Sequence, residues 1–248
     1  MSERDTGLDS GPESGPHTQP RTQAGDTPPS RSCEPMTGPD MDRATRVARL
    51  GEALAARGQR LAVAESCTGG LLAATLTEQA GSSAWFEGGW VTYSNQAKQR
   101  ELAVPGSLFA EVGAVSREVV LAMAEGAIRQ ASVSYAVAIS GVAGPSGGSD
   151  AKPVGTVWIG WAYRPSAGLE RRPPAAPTTF AARFRFDGDR ARVRQSAVDV
   201  ALSGLCAHLS GEASDDAWAN AWANAWNDAA ARRWSAAFWP VAALKIDA

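Results

Sequence analysis

The sequence predicts a layered α/β domain of ordinary size, and three observations support this fold class. Strand-like and helix-like patterns alternate along roughly 165 residues in the middle of the 248-residue chain. Two strand patterns late in this region have no helix between them, which requires at least one antiparallel pair. Hydrophobic residues make up 44% of the chain, enough for a sizeable buried core. We therefore expect about five strands and about five helices in one domain.

The predicted strands are short runs rich in Val, Ile, Trp and Phe. The last of them has the clearest pattern, because its Phe residues fall on one face and Arg183 and Arg185 on the other. In chain order the predicted strands are Arg60–Glu65, Trp90–Tyr93, Tyr135–Ser140, Val154–Tyr163 and Thr179–Phe186. A long, Pro-stiffened loop at 164–177 joins the last two.

Capping residues and glycines mark the ends of the predicted helices. Asp42 precedes the first helix, which continues through Val47, Leu50 and Leu54 at helical spacing. Ser116 precedes a longer helix, and Gly188-Asp189 opens the last one. The other helices are bounded by glycine or proline. The predicted internal helices are Gly70–Gln79, Asn95–Ala103, with Asn95 as its cap, and Arg117–Ala131.

The two ends of the chain differ in composition from the middle. Residues 1–41 contain seven of the fifteen prolines and no aromatic residue, so this head is predicted to be disordered. The domain is expected to span 42–211. Residues 212–248 form a Trp- and Ala-rich tail with the repeat AWANAWANAWND, which is predicted to be helical.

Composition excludes several classes of function. The net charge is −2 and the pI about 5.8, with no long basic run, so a nucleic-acid partner is not expected. No apolar stretch is long enough to span a membrane, and the N-terminus lacks the apolar core of a secretion signal, so a cytoplasmic location is expected. Three widely spaced cysteines and two histidines give no metal pattern, no disulfide framework and no Ser-His-Asp triad.

A first glycine-rich junction, AESCTGG (64–70), lies where a strand ends and a helix begins. The first N–H groups of a helix lack internal partners and suit an anion, either a phosphate or a developing oxyanion. Ser66 stands where a nucleophile would, and Gly69 and Gly70 allow a ligand to approach closely. The alternative is a simple turn in which Ser66 or Thr68 only caps the helix.

A second glycine-rich junction, SGVAGPSGG (140–148), follows the strand that ends near Ser140. Ligands collect at the carboxyl ends of strands in parallel α/β sheets, so the two junctions could border one pocket. The alternative for this segment is a flexible surface loop.

The segment TYSNQAK (92–98) places Lys98 in the first turn of a predicted helix. A cation there opposes the helix dipole, which favours negative charge at that end. Lys98 is therefore a functional candidate, although an ordinary exposed lysine is the simpler alternative.

Seven motifs follow one another along the chain: AESCTGG (64–70), GGWVTYSNQAK (88–98), GAVSREV (113–119), AMAEGA (122–127), SGVAGPSGG (140–148), KPVGTVWIG (152–160) and GDR (188–190). Taken together and in this order, they resemble the C-terminal domain of the competence/damage-inducible protein CinA, the nicotinamide-nucleotide amidohydrolase family. The similarity extends from about residue 42 to 210, and the threonine typical of the family before Gly-x-Ala-Gly-Pro is Ser140 here. Many relatives have an additional N-terminal domain, so this chain resembles a stand-alone form.

The resemblance implies a three-layer α/β/α sandwich with a mixed, five-stranded sheet. It also implies a reaction, the hydrolysis of the carboxamide of nicotinamide mononucleotide to nicotinate mononucleotide and ammonia, which recycles a by-product of NAD metabolism. The implied partner is a small nucleotide substrate, with neither a metal nor a cofactor. A homodimer is left open.

This reaction needs a nucleophile, a base, donors for the oxyanion and a cradle for the phosphate. Because no histidine is suitably placed, a Ser-Lys pair is the natural assignment, with Ser66 as nucleophile and Lys98 as base. Tyr93 is a candidate proton relay. The predicted substrate-binding residues are Thr68, Gly69, Gly70, Ser140, Gly141, Gly144 and Arg190. Which loop takes which anion is not readable from the sequence.

Alternatives remain for the nucleophile, for the role of two arginines and for the function of the whole chain. Cys67 is a stronger nucleophile by nature than Ser66, but we expect it to be a packing residue. Arg190 and Arg194 would bind phosphate or form an ion pair across a subunit contact, or they would lie on a solvated helix face. The whole chain could instead be a non-catalytic nucleotide-binding module, or an interaction protein that acts through its Trp-rich tail.

Overall fold

The computed structural model describes residues 41–165 and 176–210, together with the backbone of Leu244–Lys245. Almost all of the predicted disordered head and helical tail lies outside the described residues, as does most of the loop at 164–177. The described part begins with a helix whose N-cap is Asp42, as predicted, since its side chain accepts a hydrogen bond from the Thr45 N–H at 2.7 Å.

Helices and strands alternate through the first half of the domain, and antiparallel strands follow in the second half. The helices are α1 (Arg43–Ala56), α2 (Leu71–Thr77), α3 (Asn95–Leu102), α4 (Ser107–Glu111), α5 (Arg117–Ala131) and α6 (Arg190–Leu209). The strands are β1 (Leu61–Glu65), β2 (Phe86–Val91), β3 (Tyr135–Gly141), β4 (Thr156–Tyr163), β5 (Thr178–Phe186) and β6 (Leu244–Lys245). None of the described helices is long and apolar enough to cross a membrane.

The described strands form one mixed sheet in the order β2-β1-β3-β4-β5-β6. β2, β1 and β3 are parallel, whereas β4, β5 and β6 join by antiparallel pairing. The predicted five-stranded mixed sheet is thus confirmed, with the two-residue β6 added at one edge. The predicted antiparallel pairing of the last two long strands is also confirmed.

Helices cover both faces of this sheet, and the two faces differ in residue size. Large side chains of β1 and β3, such as Val63 and Ile139, pack with α1, α2 and α6. Alanines of the same strands, such as Ala62 and Ala138, face α5. Small residues let α5 approach closely, since a Cβ at Gly160 would lie 2.9 Å from the Val120 carbonyl oxygen. The result is the expected three-layer α/β/α sandwich.

Several predicted boundaries were wrong, and β2 is the main case. It runs over Phe86–Val91 rather than Trp90–Tyr93, because the Gly88-Gly89 pair lies inside the strand and does not form a turn. A Cβ at Gly89 would lie 2.6 Å from a methyl group of Val63, so glycine permits this close strand packing. The cap of α3 is Ser94 and not Asn95, which is the first residue of the helix. The short helix α4 was not predicted.

Candidate active site

The structure brings Ser66 and Lys98 into direct contact at the carboxyl edge of the parallel strands. Ser66 follows β1, and its N–H continues the parallel ladder to the Ile139 carbonyl of β3 at 2.9 Å. The Lys98 Nζ lies 3.1 Å from the Ser66 Oγ. Both side chains are buried, with Ser66 9% exposed and Lys98 1% exposed. A hydroxyl and an amine at this distance can exchange a proton.

The position of Lys98 on α3 explains why its amine reaches Ser66. Lys98 is the fourth residue of the helix, and helical side chains lean toward the N-terminus. The Nζ therefore meets the carbonyls that precede the helix, at 2.7 Å for Thr92 and 3.3 Å for Tyr93. A neutral amine has two N–H donors and one lone pair. With the two carbonyls as acceptors, the lone pair is free to face the Ser66 hydroxyl.

Burial changes the acidity of Lys98. The charged form loses its hydration inside the protein, and this lowers the pKa of Lys98 from 10.5 to about 8. No acidic side chain of the described residues forms an ion pair with it, and the smaller electrostatic effect of Cys67, which raises the pKa of Lys98, does not offset burial. A substantial neutral fraction therefore exists near physiological pH.

A carboxylate of the chain itself accepts the free N–H groups at the junction that carries Ser66. Glu65, the last residue of β1, is fully buried. Its two oxygens accept hydrogen bonds from the N–H groups of Gly70, Leu72 and Ala73, at 3.0, 3.1 and 2.8 Å. The anion site expected at the start of α2 is thus filled by a protein carboxylate.

The glycines of this junction have little hydrogen-bonding capacity left for a ligand. The Gly70 N–H donates to Glu65, and the Gly69 N–H donates to the Ser66 carbonyl at 3.0 Å. Both glycines have positive φ, 57° and 90°, which explains why glycine stands there. Thr68 differs, because its N–H makes no hydrogen bond within the described residues and its buried hydroxyl has no partner there either.

The second junction lies beside the first, as predicted, but parts of it are structural. Ser140 is buried and its hydroxyl donates to the Ala114 carbonyl at 2.8 Å, which ties the end of β3 to the segment before α5. A Cβ at Gly141 would lie 2.7 Å from a Val157 methyl group, so glycine is needed for strand pairing. Gly144 has a φ of 83°, and its carbonyl accepts from Arg190 at 3.0 Å.

Two arginines of α6 connect the loops around the site. Arg190 bridges the two predicted regions, since it donates to the Gly144 carbonyl and, at 3.1 Å, to the Tyr93 hydroxyl. Arg194 donates twice to the Thr68 carbonyl, at 2.6 and 3.2 Å. Neither guanidinium forms an ion pair in the part of the chain that the structure describes. Their positive charges therefore remain available to an anion.

The structure supports the reading of Cys67 as a packing residue. Its side chain belongs to the core on the α1 face, and burial raises the pKa of the thiol to about 12. A thiol with that pKa is protonated at neutral pH and is a poor nucleophile. His208 is likewise buried and packs against the rings of Tyr135 and Tyr163.

Sequence reasoning missed two contributors to the site, Glu65 and Thr92. Glu65 was read only as the end of a strand, although a strand-ending acid followed by a glycine-rich helix start could have suggested an internal cap. Thr92 supplies the shortest hydrogen bond to Lys98, and its own buried hydroxyl has no partner within the described residues. Arg194 was left as an alternative. Among the same residues, no group of three or more His, Cys, Asp and Glu side chains could hold a metal ion.

Comparison with known proteins identifies relatives of this chain. The model of the CinA C-terminal domain matches residues 43–209. Nicotinamide-nucleotide amidohydrolase PncC of Pseudomonas putida is 52% identical over 166 residues, which is 66% of this chain and 96% of that protein. The protein of the same name from Escherichia coli K12 is 49% identical over 157 residues, 63% of this chain and 88% of that one.

Solved structures give the same result for the fold. The competence damage-inducible protein A from Klebsiella pneumoniae subsp. pneumoniae MGH 78578 aligns with a TM-score of 0.62 and 38% identity, over 69% of this chain and 99% of that chain. A competence/damage-inducible protein from Agrobacterium tumefaciens aligns with a TM-score of 0.61, also at 38% identity, over 67% and 95% of the two chains. Since the family model matches well over half of the residues, the chain belongs to the CinA C-terminal domain family.

Proposed function

We propose that this chain hydrolyses the carboxamide of nicotinamide mononucleotide to nicotinate mononucleotide and ammonia. The observation that carries the proposal is the buried contact of 3.1 Å between the Lys98 Nζ and the Ser66 Oγ. The substrate comes from the relatives that share about half of their residues with this chain and are named nicotinamide-nucleotide amidohydrolases.

Ser66 is the nucleophile and Lys98 the base in this proposal. The neutral amine takes the hydroxyl proton while the Oγ attacks the carboxamide carbon, and the resulting ammonium then donates that proton to the amide nitrogen, which leaves as ammonia. This gives an ester between Ser66 and the nicotinate group. Water, deprotonated in turn by Lys98, attacks the ester, and the lysine ammonium returns the proton to the Ser66 Oγ as nicotinate mononucleotide is released. One water is consumed for each ammonia released.

The Thr68 N–H and hydroxyl are unused donors within the described residues, and two arginines supply positive charge for the anions of the reaction. We assign the N–H of Thr68 to the oxyanion, because it stands two residues after Ser66 and makes no hydrogen bond within the described residues. Arg190 and Arg194 are assigned to the phosphate, because their charges are not neutralised by carboxylates there. Tyr93, held by Arg190 and 62% exposed, stands at the edge of the site, where a proton relay to solvent is feasible.

The cellular compartment and the partners of the chain are also part of the proposal. Two buried cysteines, Cys67 and Cys206, are free thiols in the described residues, which fits a reducing compartment such as the cytoplasm. The acidic pI of about 5.8 argues against a nucleic-acid partner. A homodimer remains a proposal, as do the boundaries of the domain at 42–211.

Incubating the purified full chain with nicotinamide mononucleotide and measuring ammonia and nicotinate mononucleotide tests the function directly. Ser66→Ala is the matched inactive variant. Nicotinamide riboside, which carries the same amide without the phosphate, tests the arginine assignment and should show a raised KM. If the chain binds the mononucleotide but releases no ammonia, the non-catalytic nucleotide-binding alternative replaces this proposal.

A further inference from the structure

Glu65 lies in the interior of the domain, although glutamate is usually found at the surface. It is fully buried, and both of its oxygens act only as acceptors, toward three backbone N–H groups of the segment 70–73. A buried charge is tolerated only when hydrogen bonds replace its lost hydration. Here three charge-assisted hydrogen bonds do so. A seven-residue helix such as α2 does not need so costly a cap, since Ser, Thr or Asn would serve.

The same residue also contacts the segment that holds the lysine. The Glu65 carbonyl accepts the Thr92 N–H at 2.8 Å, and the Thr92 carbonyl accepts the Lys98 amine at 2.7 Å. The Glu65 side chain is therefore hydrogen-bonded to the segment that follows Ser66. Its main-chain carbonyl is hydrogen-bonded to Thr92, the residue whose own carbonyl accepts the Lys98 amine. Ser66 is the next residue along the chain.

We propose that Glu65 is the positioning residue of the Ser66–Lys98 pair. Its carboxylate fixes the turn 66–70 against α2, and so fixes the distance and direction from the Ser66 Oγ to the lysine amine. Glu65 does not touch the substrate in this scheme and transfers no proton. This inference rests on the proposed function only in its kinetic test, which measures the hydrolysis of nicotinamide mononucleotide.

Glu65→Gln is the sharpest test, because it preserves size and removes the charge. A glutamine side chain has one oxygen acceptor and one NH2 donor. At least one of the three N–H groups would then face a donor, and the turn must shift. A misplacement of about 1 Å can cost about 100-fold in rate. We expect kcat for nicotinamide mononucleotide to fall about 100-fold, with KM changed by less than about threefold.

Glu78→Gln is the matched control. Glu78 is exposed at the other end of the same helix and undergoes the same chemical change, so its kinetics should equal those of the wild type. Assays are run well below the melting temperature of every variant, and rates are expressed per folded molecule. Normal kcat in Glu65→Gln would reduce Glu65 to a structural cap and overturn the proposal. A raised KM with normal kcat would also overturn it, because Glu65 would then shape the substrate site.

A second measurement separates this inference from the proposed function. The rate at which a fluorophosphonate probe labels Ser66 reports the reactivity of the serine without using the nucleotide. If the wild type fails to hydrolyse nicotinamide mononucleotide but is labelled, slower labelling of Glu65→Gln supports the positioning role and equal labelling refutes it. If the wild-type serine is not labelled, no activated Ser66 exists and the proposal fails.

Glu65→Asp covers the case in which the glutamine variant does not fold. It keeps the charge but withdraws the carboxylate by one methylene, so both kcat and the labelling rate should again fall while KM is kept. If neither variant folds, Glu65 is a determinant of folding and the positioning role is rejected.

Discussion

Raising the assay pH from 6 to 9 should increase kcat/KM in proportion to the neutral fraction of Lys98. Only the neutral amine can accept the proton of Ser66, and kcat/KM reports the ionisation of the free enzyme. Burial lowers the pKa of Lys98 to about 8, so the profile should rise about tenfold per pH unit below pH 7 and level off above pH 9.

The size of the effect follows from the same shift. A lysine with a pKa of 10.5 would be roughly 0.03% neutral at pH 7, whereas one with a pKa of about 8 is roughly 9% neutral. Burial of the amine therefore increases the reactive fraction about 300-fold at neutral pH. In the proposed mechanism, this factor is the contribution that burial of Lys98 makes to the rate.

Lys98→Arg and Lys98→Met, measured over the same pH range, separate a base from an electrostatic clamp. An arginine stays protonated throughout, so as a failed base it should be nearly as inactive as methionine, at least about 1,000-fold below the wild type. Ammonia release from nicotinamide mononucleotide is the readout. An arginine variant that keeps substantial activity, with its rising limb intact, would refute the Ser-Lys mechanism. A wild-type profile that is flat between pH 6 and 9 would refute it as well.

Three further predictions concern the nucleophile, the stability and the ends of the chain. Ser66→Ala should remove turnover by several orders of magnitude, while Cys67→Ala should keep most of it; the reverse ranking in a kcat assay would exchange their roles. The pKa of Lys98 is lower in the folded state than in the unfolded state, so the folded protein loses this proton first as the pH rises. In denaturant titrations, the free energy of unfolding of the wild type should therefore rise by about 3 kcal/mol relative to Lys98→Met between about pH 8 and 10.5. A constant difference would show that the amine is not buried. Deleting 1–41 should leave melting temperature and turnover nearly unchanged, and deleting 212–248 should leave a folded, active domain; loss of folding in either would move the proposed boundary.

The sheet was predictable because each strand carries its own pattern. The alternation of Thr178–Phe186 and the apolar run of Tyr135–Gly141 are local properties, and their order along the chain limits the topology. The edge strand β2 was misplaced because the predicted strand began only after Gly88 and Gly89. Their role depends on contact with Val63 of the neighbouring strand, and a single sequence does not display such a contact.

The site was predictable to the level of segments, but not of hydrogen bonds. Ser66 and Lys98 were identified from residue type, position at a strand end, and the order of the motifs. Glu65 was overlooked because burial of a carboxylate contradicts its usual preference for solvent. Its three N–H partners come from the following helix, and they exist only once the turn at 66–70 has formed.

These exceptions to the usual rules lie on both sides of one contact. Glu65 and Lys98 are 0% and 1% exposed, and the hydroxyls of Thr68 and Thr92 are buried without a partner in the described residues. Each of these features reduces stability when considered alone, since buried charges and unsatisfied hydroxyls are unfavourable. Natural sequences concentrate such conflicts where function requires them. All four residues lie within two short segments, 65–68 and 92–98, that meet at the Ser66–Lys98 contact, which supports the proposal that this contact carries out the chemistry.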